Sequence, residues 1–470
     1  MATAPAPQRG YFAEKAHRFL AALVFRDFRF LALATLCSGS GAWALIVARG
    51  AWVYSIPELQ GTWGLWVGLI TFAAMSPRFF ATPFIGYLAD KVTRKKLLQW
   101  VYALQLAQAS VMAVLVMVGV DNPWYVVLLA VINGTLRATQ QTAAQSLSPN
   151  LVDRERLPNA VALNEAMQQG SRLFGPIILL MVAVTVGSAS LTNEGEALFS
   201  LGSILFTLGT SAIVFWACAA FYLIALISSL NIRTVSSGVI DRRRSFWANT
   251  AAGFAYSYST PLVFGIILMA LAHCVLVMSF ESMLPPLALE KLAPVGPDGE
   301  KVFNQNDVYA LMAALGLGAL MSSIFVGGIV SHLNRGRVFL LLGFTSSLTP
   351  IGLGLSAQTG ISIIAAVLMG LGTSGFMTIT HTIIHSVVPD EIRGRVASVY
   401  SMHVGGSMAF ANLLYGSLAD FWSPGRIMAI SGAAFTIVVV GTIIASGFWR
   451  GIYFRGEARP VAAASPAGGD

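Results

Sequence analysis

Gly86-Tyr87-Leu88-Ala89-Asp90-Lys91-Val92-Thr93-Arg94-Lys95-Lys96 closes one apolar run, and Gly328-Ile329-Val330-Ser331-His332-Leu333-Asn334-Arg335-Gly336-Arg337 closes another, half a chain length later. Each reads glycine, three residues, a polar residue and then a basic cluster. A second echo recurs at nearly the same offset: Pro149-Asn150-Leu151-Val152-Asp153-Arg154 against Pro389-Asp390-Glu391-Ile392-Arg393-Gly394-Arg395. Two halves built to one plan are therefore expected. In a membrane protein such duplication points to a substrate site at the interface between the halves.

Composition supports the membrane setting. Of 470 residues, 56% are hydrophobic and 11% charged, with a mean hydropathy of +0.71. A soluble chain carries about 25% charged residues, so lipid is the expected solvent and the bilayer the first partner. The three cysteines, Cys37, Cys218 and Cys274, all lie in apolar runs and form no disulfide framework. The net charge of +8 does not point to nucleic acid. Its basic residues concentrate in short loops on one side, the pattern that fixes orientation in a membrane.

Spans need about 20 apolar residues each. The chain supplies them near 28–55, 63–89, 97–119, 123–148, 159–186, 211–231, 261–287, 307–331, 337–357, 361–388, 396–421 and 426–449. The expected fold is all-α, with twelve transmembrane helices in two pseudo-symmetric six-helix bundles and both termini cytoplasmic in the cell (inner) membrane. Only Lys291, Lys301 and Arg426 among the loop cations then fall outside. The expected domains are a cytoplasmic interfacial segment (1–27), an N-terminal bundle (28–231), a cytoplasmic linker (232–260), a C-terminal bundle (261–450) and a disordered tail (451–470). The stretch 198–230 is too long for one span, so 198–208 is expected to lie at the outer interface or re-enter.

The motifs resemble those of the major facilitator superfamily over nearly the whole chain. Gly86-x-x-x-Asp90-x-x-x-Arg94-Lys95 is similar to that family's signature loop between helices two and three, with Thr93 where a glycine is common and His332 where the second copy would carry Asp. Arg137-Ala138-Thr139-Gln140 resembles the Arg-x-x-Gln motif of proton-coupled members, and Gly170 to Pro176 is a weaker echo of the Gly-Pro motif of antiporters. Asn159 to Asn164 and Val388 to Val396 look most like the drug:proton antiporter-3 branch, which includes macrolide and enterobactin exporters. The resemblance implies export by alternating access. It also implies that Gly86, Asp90, Arg94 and their counterparts His332 and Arg335 form an inner latch holding the halves together when the cytoplasmic side is closed.

Ionisable groups inside spans cost roughly 2.5–3.5 kcal/mol each on insertion scales and are therefore functional or paired. The N-terminal half carries Arg49, Arg78, Arg137, Arg172 and Glu165; the C-terminal half carries Glu281, His273, His381, His385 and His403. Arg137, Arg172, Arg78 and His273 are the candidate cavity residues, and their positive excess favours anionic or acidic amphiphilic substrates. Arg78, following Pro77, has the alternative of bonding carbonyls freed by the proline, and Arg49 that of snorkelling outward. Glu281 is the candidate proton carrier, because a carboxylate isolated in an apolar setting exchanges protons near neutral pH; Glu165 is the alternative acid. Arg49 and Glu281 lie in the outer thirds of symmetry-related helices, so an outer-gate ion pair between them is expected. His381 and His385 share a helix face at metal-ligand spacing, but no nearby acid or cysteine completes a site, and neither metal nor cofactor is expected. The aromatics, Trp43, Trp52, Trp63 and Trp66 among them, read mostly as belt or packing residues, with lining of a cavity for bulky apolar ligands as the alternative for a minority of them.

The leading function is secondary active export of small amphiphilic or acidic organic molecules, drug- or siderophore-like, by proton antiport in a monomer. The alternatives are uptake or facilitated movement of a lipid-like or other organic solute without proton coupling, and a non-transporting membrane sensor or scaffold. No Gly-x-x-x-x-Gly-Lys-[Ser/Thr] loop occurs, which disfavours ATP-driven transport, and no enzymatic constellation is present.

Overall fold

A computed structural model describes residues 20–191, 210–234, 246–329, 334–445, 449 and 451–455. Residues 1–19, the apolar stretch 198–208, residues 235–245 of the linker, His332 and the tail from residue 456 lie outside the described residues. So do the side chains of Gly86, Asp90 and His385. The first bundle comprises α1 (Arg26–Tyr54), α2 (Trp63–Lys91), α3 (Arg94–Met117), α4 (Pro123–Leu147), α5 (Leu157–Leu191) and α6 (Thr210–Leu230). The second comprises α7 (Pro261–Lys291, interrupted), α8 (Gln305–Ile329), α9 (Arg335–Leu355), α10 (Thr359–Val387), α11 (Asp390–Ala419) and α12 (Pro424–Ala445). The molecule is thus an all-α membrane protein of twelve helices, six to each half. A further helix, Phe246–Ser259, lies in the stretch read from sequence as linker and packs on the start of α11.

Local chemistry sets the boundaries. Pro123, Pro261 and Pro424 stand at or next to the first turns of α4, α7 and α12, where a missing N–H costs nothing. The Asn122 side chain accepts from Trp124 N (3.0 Å) and that of Asn334 from Gly336 N (3.0 Å), capping α4 and α9. Gly119, at φ +72°, turns the chain out of α3 in the left-handed geometry that favours glycine. Asp27 accepts from Arg233 N, Thr234 N and Thr234 Oγ1 at 2.7–2.9 Å, tying the start of α1 to the end of α6.

Among the described residues, nine helices are long and apolar enough to cross a bilayer by length and composition alone. The other three, α2, α4 and α11, are those that carry Arg78, Asn133, Arg137, Gln141, His403 and Asn412. In α2 the described side chains run only over residues 63–79, too short a stretch to count by itself; in α4 and α11 buried amides such as Asn133 and Asn412 lower the mean hydropathy of helices that span nonetheless.

The halves meet along two antiparallel pairs, α2 with α11 and α5 with α8. Without a hydrophobic drive between helices in lipid, close backbone approach at small residues supplies the packing. A Cβ added at Gly64 would overlap the Gly416 carbonyl, one at Gly68 would come within 3.0 Å of the Asn412 carbonyl, and one at Gly406 would strike the Phe79 ring. On the second pair, a Cβ at Gly316 would overlap the Arg172 carbonyl. At the end of the bundle far from Arg26 and Ala445, Asp420 accepts from Gly64 N (2.7 Å) and Leu65 N (2.8 Å). This carboxylate at the end of α11 caps the start of α2 across the seam. Tyr54 stacks on Trp63 and meets Phe303 of the other half at 5.2 Å.

Candidate functional site

The polar centre of the molecule is built on the break in α7. The helix runs regularly over Pro261–His273, widens to a π turn at Cys274–Met278, leaves helical geometry at Ser279 and resumes through a short turn at Glu281–Met283 into Leu284–Lys291. Pro285 and Pro286 explain the interruption. Neither donates a hydrogen bond, and their rings exclude the carbonyls of the preceding turn. The freed groups find partners: Ser279 Oγ donates to Cys274 O (2.7 Å), and Ser282 N donates to Asn412 Oδ1 of α11 (2.9 Å). Asn412 Nδ2 in turn donates to Glu281 Oε2 (3.2 Å) and to Met408 O (3.0 Å). Glu281 is 2% exposed, and its Oε1 has no hydrogen-bond partner among the described residues. A buried carboxylate oxygen in that state is costly unless something fills the role of a donor.

Facing this acid are the arginines of the first half. Arg172, Arg137 and Arg78 all lie within electrostatic reach of Glu281. The guanidinium carbons of Arg137 and Arg172 stand 4.7 and 4.5 Å from the ring centre of one indole, Trp43 of α1, which places two cations on one aromatic group. Arg78 donates to Gln141 Oε1 (2.8 Å), joining α2 to α4, and its stem lies against Gly405 of α11. Arg172 reaches Ser374 Oγ of α10 at 3.4 Å. Glu165 accepts from Gln169 Nε2 (2.8 Å), whose Oε1 is 3.5 Å from the same Ser374 hydroxyl. Helices of both halves thus contribute to one cluster, three cations against Glu281, with Glu165 about two turns from Arg172 along α5.

Residues 31–411 match the Major Facilitator Superfamily. The chain belongs to that superfamily. Within it, the chain is 24% identical to the enterobactin exporter EntS of Shigella boydii serotype 18 (strain CDC 3083-94 / BS512) over 318 residues, 67% of each chain. The same identity and coverage hold for the enterobactin exporter EntS of Escherichia coli O81 (strain ED1a). Among solved structures, a D-xylose-proton symporter superposes with a TM-score of 0.66 at 11% identity, covering 93% of this chain and 100% of that one. The nucleoside transporter NupG superposes with a TM-score of 0.63 at 12% identity, covering 89% and 98%. These likenesses establish the major facilitator fold.

In this transporter some residues singled out from sequence stand elsewhere than expected. Arg49 is 1% exposed and points into the first half, where Tyr222 and Cys218 are its electrostatic neighbours; its guanidinium nitrogens have no hydrogen-bond partner among the described residues. The expected outer-gate pair gives way to this arrangement, because the α7 break carries Glu281 towards Arg172 and Arg137 instead. Gly50, next to Arg49, does lie against Pro285. His273, expected on the cavity wall, sits inside the second half, 4.4 Å from the Phe376 ring and 5.2 Å from Phe435 between ring centres, bonded to Ser346 Oγ at 2.6 Å. Those are packing contacts. Of the latch residues, Arg94 donates to Ser146 O (2.8 Å) at the end of α4 in its own half, and Arg335 opens α9. Three residues of the centre were not singled out from sequence: Trp43 as a cation platform, Asn412 and Gln141. An amide in the middle of an apolar run is itself a signal of interhelical bonding, and Asn412 shows it.

Proposed function

We propose that this chain is a secondary active exporter of small amphiphilic or acidic organic molecules, working by alternating access and exchanging substrate for protons. It is read as a monomer in the cytoplasmic membrane with both termini inside, in keeping with the basic loops. The observation that carries the reading is the cluster at the seam: Arg78, Arg137 and Arg172 from one half against Glu281 and Asn412 from the other. A site that straddles two rigid bundles is remade whenever they rock, which is what alternating access needs. Its positive excess suits an acid. Its buried carboxylate supplies a site for the exchanged proton. The enterobactin exporters among its relatives favour export over uptake. Closure on the cytoplasmic side is assigned to the loop of Gly86, Asp90 and Arg94 and its counterpart with His332 and Arg335, as the motif implies.

The test is a panel of amphiphilic acids in proteoliposomes with an imposed pH gradient. Substrate is expected to move uphill, opposite to the proton flow. Equal movement with and without the gradient would overturn the proton coupling.

A further inference from the structure

Three loop cations, Lys291, Lys301 and Arg426, fall on the outer side in the orientation read from the basic loops. Two of them are spent inside the protein. Lys291 Nζ pairs with Glu290 Oε1 (3.0 Å) and donates to Gly354 O (2.7 Å) and Ser356 O (3.0 Å). Lys301 Nζ donates to Glu290 O. Arg426 is exposed, and among the described residues its guanidinium has neither a hydrogen bond nor an ion pair. It borders a cleft of about 310 Å³ formed with Phe421, Trp422, Ser423 and Ile430, where α11 turns into α12. We propose that this cleft holds an anionic phospholipid of the outer leaflet, its phosphate on Arg426, its ester region at Trp422 and one acyl chain along α12.

The helix supplies a track for the chain. At about 100° per residue, Arg426, Ile430 and Ile437 lie within about 40° of one another around α12. Ile430 is 57% exposed and Ile437 72%. They stand about 10 Å apart along the axis, within the hydrocarbon depth of one leaflet, about 15 Å. Phe421 and Trp422 are exposed beside them, at the level where aromatic side chains meet headgroups and an indole N–H can donate to an ester oxygen. Charge then selects the headgroup. The start of α12 does not itself receive the anion, because Glu290 Oε2 already accepts from Gly425 N and Ser423 Oγ, each at 2.9 Å. Lys291 neutralises Glu290, and Asp420 is held by Gly64 N and Leu65 N. The Arg426 guanidinium is the group left for a phosphate, which it can meet with two parallel N–H donors. A zwitterionic lipid brings its own cation to this place and gains less than an anionic one.

The test uses the full-length protein in phosphatidylcholine nanodiscs with a fluorophore on Ile437→Cys. Cys37, Cys218 and Cys274 are buried and stay unlabelled. Phosphatidylglycerol or phosphatidylcholine carrying a nitroxide on its acyl chain is titrated in, and quenching is read. Phosphatidylglycerol is expected to quench at about fivefold lower mole fraction. The same probe on Leu128→Cys, an exposed position of α4, should show no preference. Arg426→Gln should bring the ratio at Ile437 close to one, and Arg426→Lys should keep most of it. Equal quenching by the two lipids at Ile437 overturns the proposal, as does a ratio unchanged in Arg426→Gln or an equal preference at Leu128. Inorganic phosphate in excess, at fixed ionic strength, should leave the ratio in place; its loss would assign the site to a free anion instead. Both leaflets of such a nanodisc share one composition, so the outcome does not depend on the orientation or on the export reading.

Discussion

Asn412 shows how one side chain fixes a site. It accepts from the Ser282 N–H exposed by the α7 break and donates to the Glu281 carboxylate. Replacing it by Leu, close in volume, leaves both groups buried without a partner, at a cost of about 1–3 kcal/mol for each. Asn412→Leu should therefore lower the melting temperature in detergent and raise KM for an acidic substrate. Melting and transport both at native values would mean that Asn412 does not hold Glu281. His273 gives the opposite expectation. It packs between Phe376 and Phe435, so His273→Phe should keep substrate affinity while losing about 1 kcal/mol or more with the Ser346 bond. A large affinity loss at normal abundance would return His273 to the binding surface. At this scale the sequence was half legible. Charges in apolar runs stand out because they are rare, and Arg78, Arg137, Arg172 and Glu281 meet at one seam. Trp43 did not stand out, since an aromatic in a span has the same appearance whether it faces lipid, a packed core or a pair of guanidinium groups.

At the scale of elements, apolar length located the helices, because a spanning helix has only a narrow range of permitted lengths. It did not reveal the break in α7. Pro285-Pro286 announces a disturbance, but its form depends on what Asn412 and the Ser279 hydroxyl offer to the freed backbone. The helix Phe246–Ser259 was missed because polar residues before it made the stretch read as linker. The contact of α2 with α11 depends on glycine. Gly416→Val should force these helices apart at a cost of about 1–3 kcal/mol, lowering the yield of folded protein, while Gly352→Val, with nothing within 4 Å of an added Cβ, should not. Equal yields would show that the seam is looser than it is drawn. Asp420→Ala removes both bonds to the start of α2. It should raise the reactivity of a cysteine placed at Leu65 towards a membrane-impermeant thiol reagent, and unchanged reactivity would mean that Asp420 does not hold this end closed.

For the whole molecule, the duplicated loops announced two halves, and the halves are six helices each. What duplication could not announce is which residues face one another across the seam, because that depends on the rotation of every helix. The orientation is tested by cysteines at Thr93 and Gly299, expected to be labelled from the cytoplasmic and outer sides respectively; the reverse pattern would invert the protein. The central claim is that Glu281 couples protons to substrate movement at the seam between the halves. Its most direct test is Glu281→Gln in proteoliposomes, with uphill accumulation under a pH gradient and gradient-free counterflow measured on the same preparation. Accumulation should be lost and counterflow largely retained. Uphill pumping by the Gln variant in response to the pH gradient would contradict the claim.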